Sequence, residues 1–155
     1  MSTTLSIATI PADGIGKEVV AAGTAVLEHI AATSEDLAFE FTEYPWGSEY
    51  YAEHGVMMAQ DGLDQLSEHD AIYFGAVGWP TLPDHVTLWG LRLNIAQNFD
   101  LWANVRPVKF LPGVTSPLRK ADDTELDWVC VRENSEGEYA GIGGRNFSGR
   151  GPGHE

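Results

Sequence analysis

The sequence has little cysteine, little lysine and no long apolar run. Cys130 is its one cysteine, so no disulfide can close within a single chain. Its place in the apolar run at 128–131 reads as that of a small core residue. The five histidines, at 29, 54, 69, 85 and 154, are scattered, and no Cys/His spacing of a metal site occurs. Three lysines (Lys17, Lys109, Lys120) and six arginines face 23 acidic residues, for a formal net charge of −14. So acidic a surface repels nucleic acid and anionic lipid, and neither is expected as a partner. No apolar stretch reaches membrane-spanning length. Residues 5–10 are too short for a leader and follow no basic segment. The expectation is a soluble, cytoplasmic protein.

What is present suits a globular chain: 155 residues, 43% hydrophobic and 21% charged, enough for one domain of ordinary size with a core. Residues 5–10 (LSIATI) read as a strand. Asp13-Gly14 supplies a turn and Gly16 lets backbone pass closely. Val19, Val20, Gly23, Val26, Leu27 and Ile30 then share one face of a helix over roughly 16–32. Strand, glycine turn and helix open an α/β unit. GIGKEV lacks the third glycine of the dinucleotide fingerprint and the GK[ST] ending of the P-loop. A plain turn and a ligand loop both remain as readings.

Phe39, Phe41 and Tyr44 mark a second strand near 38–45. Short helices follow at 47–54 and 60–69, broken at Gly55. Residues 70–77 (DAIYFGAV) read as a third strand, leading to Gly78 and Trp79-Pro80. Ligands in open α/β sheets gather at such C-terminal strand ends, so this exit is a candidate cofactor contact, though a simple turn would use the same residues. A helix is expected over 87–98. Residues 101–111 are extended, since Pro107 disfavours helix, and 112–127 form a loop. No internal repeat is present.

The most informative stretch is 128–145, WVCVRENSEGEYAGIGGR. A β-like run ends in Arg132, followed by Glu133, Glu136, Glu138, Tyr139 and a glycine-rich tail. A strand-end arginine with a tyrosine seven residues on can hold a cation and a phenol over one pocket. The cation suits an anionic substrate, and the phenol suits proton transfer. A strand end with a solvated acidic loop is the other reading. Arg92, Arg106 and Arg132 can likewise form a pocket for a diacid, since the guanidinium fork matches carboxylates, or simply pair with the abundant acids. Spacing leaves both standing.

DGIGKEV (13–19), YFGAVGWP (73–80), PDHVTLWG (83–90), ANVRPVKFLPGV (103–114) and VRENSEGEYAGIGGR (131–145) resemble, in unbroken order, the isocitrate/isopropylmalate dehydrogenase family. GWP followed by PDHVTLWG is similar to its tartrate/D-malate branch. The resemblance implies an α/β fold, the N-terminal part of the two-domain isopropylmalate dehydrogenase-like architecture, incomplete. Residues 1–100 would be part of the first, cofactor-side domain. Residues 101–155 would be part of the second, with the substrate arginines and the start of an arm. The implied activity is NAD- and divalent-metal-dependent oxidative decarboxylation of a small 2-hydroxy diacid, in a full-length homodimer. Arg106 and Arg132 match positions that bind substrate carboxylate. Tyr139 matches the tyrosine that protonates the enolate. Gly75, Ala76, Val77, Gly78 and Trp79 match the start of the NAD loop. The metal would be magnesium or manganese, with ligands expected beyond residue 155 and none in this chain.

Two departures qualify the resemblance. A further substrate arginine is expected ten residues before Arg106, where this chain has Ala96. Arg92 lies one helical turn earlier and is the candidate substitute. Family members also run to more than twice this length, and their catalytic lysine and metal-binding aspartates have no counterpart here. The chain alone is therefore expected to be inactive. An alternative is a truncated or split-gene product without independent catalysis. A free-standing anion-binding module built on Arg106 and Arg132 is the third reading.

Overall fold

Strand β1, Thr3–Ala12, is the axis of the first half of the chain. Its middle residues Ile7, Ala8, Thr9 and Ile10 are all buried, as befits a central strand covered on both faces. It pairs in parallel with β2 (Leu37–Glu43) and β3 (Ala71–Ala76), giving the order β2-β1-β3. Parallel pairing requires crossovers. Helix α1 (Gly16–Thr33) carries the first, and α2 (Ser48–His54) with α3 (Gly62–Ser67) the second. The computed structural model describes residues 3–114 and 126–144. They fall into two compact units, Met1–Phe99 and Asp100–Glu155.

The core lies on the sheet face of Ala8 and Ile10, where Trp46, Met57, Met58, Leu66, Leu91 and Ile95 close over it. Ile10, Leu66, Leu91 and Leu93 are fully buried, each stabilising the unit by roughly 1.5–3 kcal/mol. His69 acts as a structural tie: Ser6 Oγ lies 2.7 Å from its Nδ1 and the Tyr44 hydroxyl 2.9 Å from its Nε2. Burial, and then the charge of Glu68, push the Tyr44 phenol above its ordinary range.

Element by element, the α/β expectation holds, with adjusted edges. α2 stops where expected, because Gly55 at φ +73° takes the left-handed cap and its N–H reaches the Tyr51 carbonyl at 2.8 Å. The helix expected from 87 starts earlier. It runs as α4 (Asp84–Thr87), a π turn (Leu88–Arg92) and α5 (Leu93–Asn98), entered from Pro83. The expected single apolar face of α1 is split. Val20, Gly23 and Leu27 turn toward the sheet, while Val19, Val26 and Ile30 are 48%, 59% and 43% exposed. Glycines at 16 and 23 draw the helix close along a narrow seam, and residues off that seam face away.

The second unit is a two-stranded antiparallel ribbon, β4 (Ala103–Lys109) against β5 (Asp127–Glu133). Cys130 is half-buried rather than core, because among the described residues of this unit the two strands carry no further layer. Val105, Trp128, Val129 and Val131 are exposed for the same reason. Most of the loop expected over 112–127, and the tail from 145 on, lie outside the described residues.

Candidate active site

In the ribbon, register decides which side chains meet. Asn104 pairs with Arg132 and Arg106 with Cys130. Side chains alternate along a strand, so Asn104, Arg106, Cys130 and Arg132 share one face, with Arg106 and Arg132 diagonal neighbours. Arg106 Nε donates to Asn104 Oδ1 at 3.2 Å, which steadies the guanidinium along the strand.

The acidic loop after β5 is built by its first acid. Glu133 Oε1 accepts the backbone N–H groups of Asn134, Ser135 and Glu136 at 3.0, 2.9 and 2.8 Å, and the Ser135 hydroxyl at 3.4 Å. The Ser135 and Glu136 backbone N–H groups hold its carboxyl below the ordinary glutamate range, with Asn134 and the Ser135 hydroxyl adding to the effect. Asn134 Nδ2 donates to the Leu101 carbonyl at 2.8 Å, tying the turn to the chain ahead of β4. Gly137, at φ +60°, then reverses the backbone into a single 3-10 turn, Gly137–Tyr139.

That reversal brings Tyr139 back over Arg132. Arg132 Nη2 donates to the Tyr139 hydroxyl oxygen, and to Glu138 Oε1 at 3.3 Å. The Arg132 carbon Cζ sits 5.5 Å from the ring centroid. Arginine is a donor only, so the contact uses an oxygen lone pair and not the phenol's proton. Arg132 remains 41% exposed and Glu138 73%, so the pair is weak in energy and the guanidinium is open to an incoming anion. Arg106, Arg132 and Tyr139 are thus gathered on one ribbon face.

The other candidates belong to the first unit. Arg92 ends the π turn and is half-buried, and Ala96 on α5 is 4% exposed. The exit of β3 carries Gly75, Ala76, Val77, Gly78 and Trp79. Gly75 lacks a side chain for packing reasons: an added Cβ would lie 2.3 Å from the Pro11 carbonyl oxygen. Gly78 has open space but sits at φ +149°, which calls for glycine. Its N–H donates to Asp13 Oδ2 at 2.9 Å. Trp79 is 37% exposed. Two cavities of about 500 and 340 Å³ occur elsewhere in this unit, and no candidate residue lines either. Among the described residues no group of three or more His, Cys, Asp or Glu could hold a metal ion, and no helix is long and apolar enough to cross a membrane.

Sequence reasoning missed Glu133 as the builder of its loop, Asn104 as the support for Arg106, and Asp13 as more than a turn residue. Glu directly before Asn-Ser was a signal for the first. The other two depend on strand register and on residues far apart in sequence.

A parallel α/β unit with glycine-rich strand ends, followed by a ribbon that sets Arg106 and Arg132 on one face, defines an α/β protein. The model of the isocitrate/isopropylmalate dehydrogenase family matches residues 6–151, and the chain belongs to that family. It is 62% identical over 143 residues to a probable tartrate dehydrogenase/decarboxylase of Agrobacterium vitis, covering 92% of this chain and 40% of that one. It is 51% identical over 147 residues to the decarboxylating D-malate dehydrogenase of Escherichia coli, covering 94% and 40%. The chain thus spans about two fifths of the length of the curated relatives it matches. Among solved structures, isocitrate dehydrogenase from Methylococcus capsulatus superposes at a TM-score of 0.68 with 27% identity, covering 89% of this chain and 37% of that one. The TT0538 protein of Thermus thermophilus gives 0.68 with 32% identity, covering 88% and 26%.

Proposed function

We propose that this chain supplies the substrate-holding arginines and the proton donor for NAD- and divalent-metal-dependent oxidative decarboxylation of a tartrate- or D-malate-type 2-hydroxy diacid. The observation that carries the reading is the gathering of Arg106, Arg132 and Tyr139 on one ribbon face. The relatives' names, tartrate dehydrogenase/decarboxylase and decarboxylating D-malate dehydrogenase, point the same way.

In this reading Arg106 and Arg132 bind substrate carboxylates by charge-assisted hydrogen bonds. NAD would be held by residues 75–79 and would supply the hydride acceptor for C2 of the diacid. The hydroxyl proton goes to a base, which this chain is not proposed to supply. The bond to the β-carboxylate then breaks, carbon dioxide leaves, and the electron pair passes into an enolate. Tyr139 gives its proton to the enolate carbon, while Arg132 holds the phenol oxygen in place. Gly75, Ala76, Val77, Gly78 and Trp79 form the cofactor-side loop, with Trp79 its exposed edge. Magnesium or manganese belongs to the same reading, but the described residues form no ligand cluster for it, and no step is derived through it. A cytoplasmic homodimer is the proposed setting.

The test is NADH formation from D-malate and from tartrate, with carbon dioxide release followed in parallel. The 155-residue chain alone should be silent and the gene's full-length product active. A full-length product that oxidises neither diacid would overturn the reading. A gene product that ends at residue 155, and turns over only with a second co-purifying chain, would favour the split-gene alternative.

A further inference from the structure

We infer that Asp13 is a positioning residue that sets the conformation of the cofactor-side loop from beneath, without touching the ligand itself. The inference rests on the proposed role of residues 75–79.

Asp13 is 2% exposed. A buried carboxylate must be paired or it is costly, and this one is fully engaged. Oδ1 accepts the Ser48 backbone N–H at 2.7 Å. Oδ2 accepts the Ser48 hydroxyl at 2.7 Å and the Gly78 N–H at 2.9 Å. The main chain of Asp13 also reaches the same exit, since its N–H donates to the Ala76 carbonyl at 2.7 Å. One residue therefore holds the chain on both sides of Val77, through a carbonyl before it and an N–H after it. That grip places Gly78 in its glycine-only conformation and directs the exposed Trp79.

Two further features are organised around the same carboxylate. Ala12 adopts φ +55°, a left-handed conformation costing about 1–2 kcal/mol for a residue with a Cβ, and this kink immediately precedes Asp13. Gly47 approaches so closely that an added Cβ would meet Asp13 Oδ1 at 2.9 Å and Ala12 Cα at 3.1 Å. Gly47 has no capping side chain, so Asp13 satisfies the first N–H of α2 from 35 residues away. The carboxylate thus couples the ends of β1 and β3 to the start of α2.

Asp13→Asn separates these roles. The side chain keeps its shape but has one acceptor oxygen in place of two, so either Ser48 or Gly78 loses its backbone partner. Ser48→Ala removes only the hydroxyl and leaves the Gly78 bond. In the full-length gene product, Asp13→Asn should raise KM for NAD about 10-fold with kcat changed less than about 3-fold, and Ser48→Ala should leave KM for NAD within about 2-fold. Hydrogen exchange at the Gly78 amide should quicken in Asp13→Asn while that at Ile10 stays slow. A folded Asp13→Asn protein in which Gly78 exchange quickens but KM for NAD is unchanged overturns the inference, and so does a Ser48→Ala protein with an equal rise. If Asp13→Asn does not fold, or keeps the Gly78 bond, an ester oxygen in place of the Gly78 N–H removes that donor alone; the same rise in KM is expected, and an unchanged KM overturns the inference. A wild-type full-length protein that does not bind NAD at all would bring down the reading of the loop and this inference with it. Normal binding with an indifferent Asp13 would bring down only the inference.

Discussion

Gly16 and Gly75 meet where α1 leaves the sheet: a Cβ added to Gly75 would lie 3.0 Å from Gly16 Cα. A Cβ on Gly16 would in turn sit 2.1 Å from the Pro11 carbonyl oxygen and 2.6 Å from the Ala76 nitrogen. Backbone atoms cannot step aside as a flexible side-chain tip can. Gly16→Ala and Gly75→Ala should each destabilise the chain by about 3 kcal/mol or more. Gly23→Ala meets the Tyr73 side chain instead, with ring carbon Cζ 2.7 Å from the added Cβ. The ring can swing as a unit and helix propensity offsets part of the cost, so the loss should be smaller, about 1–2 kcal/mol. Urea unfolding of the three variants checks the contrast.

Ala12 carries a Cβ at φ +55°. Ala12→Gly should stabilise the fold by about 1 kcal/mol, the relief of left-handed strain less the entropy glycine loses on folding. The shift is read as a higher urea midpoint with an unchanged slope.

The loop after β5 should respond to acid. Glu133 is held below the ordinary carboxylate range by the backbone N–H groups it collects, so its folded value lies under its unfolded one. Its contribution is present above the ordinary glutamate range and is lost as pH falls through the depressed folded value. The Ser135 and Glu136 amide resonances should therefore titrate together, with a midpoint below that of a free glutamate. In Glu133→Gln the shared transition should vanish.

On the proposed chemistry, the two partners on the ribbon should separate kinetically in the full-length product. Arg132→Lys replaces a planar fork by a point charge, and should lower kcat/KM for the diacid about 100-fold, largely through KM. Tyr139→Phe keeps the ring over Arg132 but removes the transferable proton, and should lower kcat about 100-fold with KM for the diacid little changed. Steady-state kinetics with D-malate or tartrate tests both.

Much of the fold was legible because local chemistry and tertiary structure agree. The LSIATI strand, the Asp-Gly turn, the helix over roughly 16–32 and the break at Gly55 follow from β-propensity, turn residues and helical spacing. Each is satisfied within a few residues. The family followed from motif order, and with it came Arg106, Arg132 and Tyr139.

What sequence alone could not decide is where chain segments far apart meet. The shared face of Arg106 and Arg132 depends on a strand register set by pairing across the ribbon. The return of Tyr139 to Arg132 depends on Glu133 gathering three amides and on the left-handed turn at Gly137. The split face of α1 depends on how closely two glycines let it approach the sheet. Asp13 reads in sequence as one half of a turn dipeptide. Only the parallel stacking of β1 and β3, with α2 starting beside them, makes it a buried acceptor for Ser48 and Gly78. A hydrogen bond across 65 residues leaves no periodic trace in the chain, because the pairing is specified by packing rather than by neighbours in sequence.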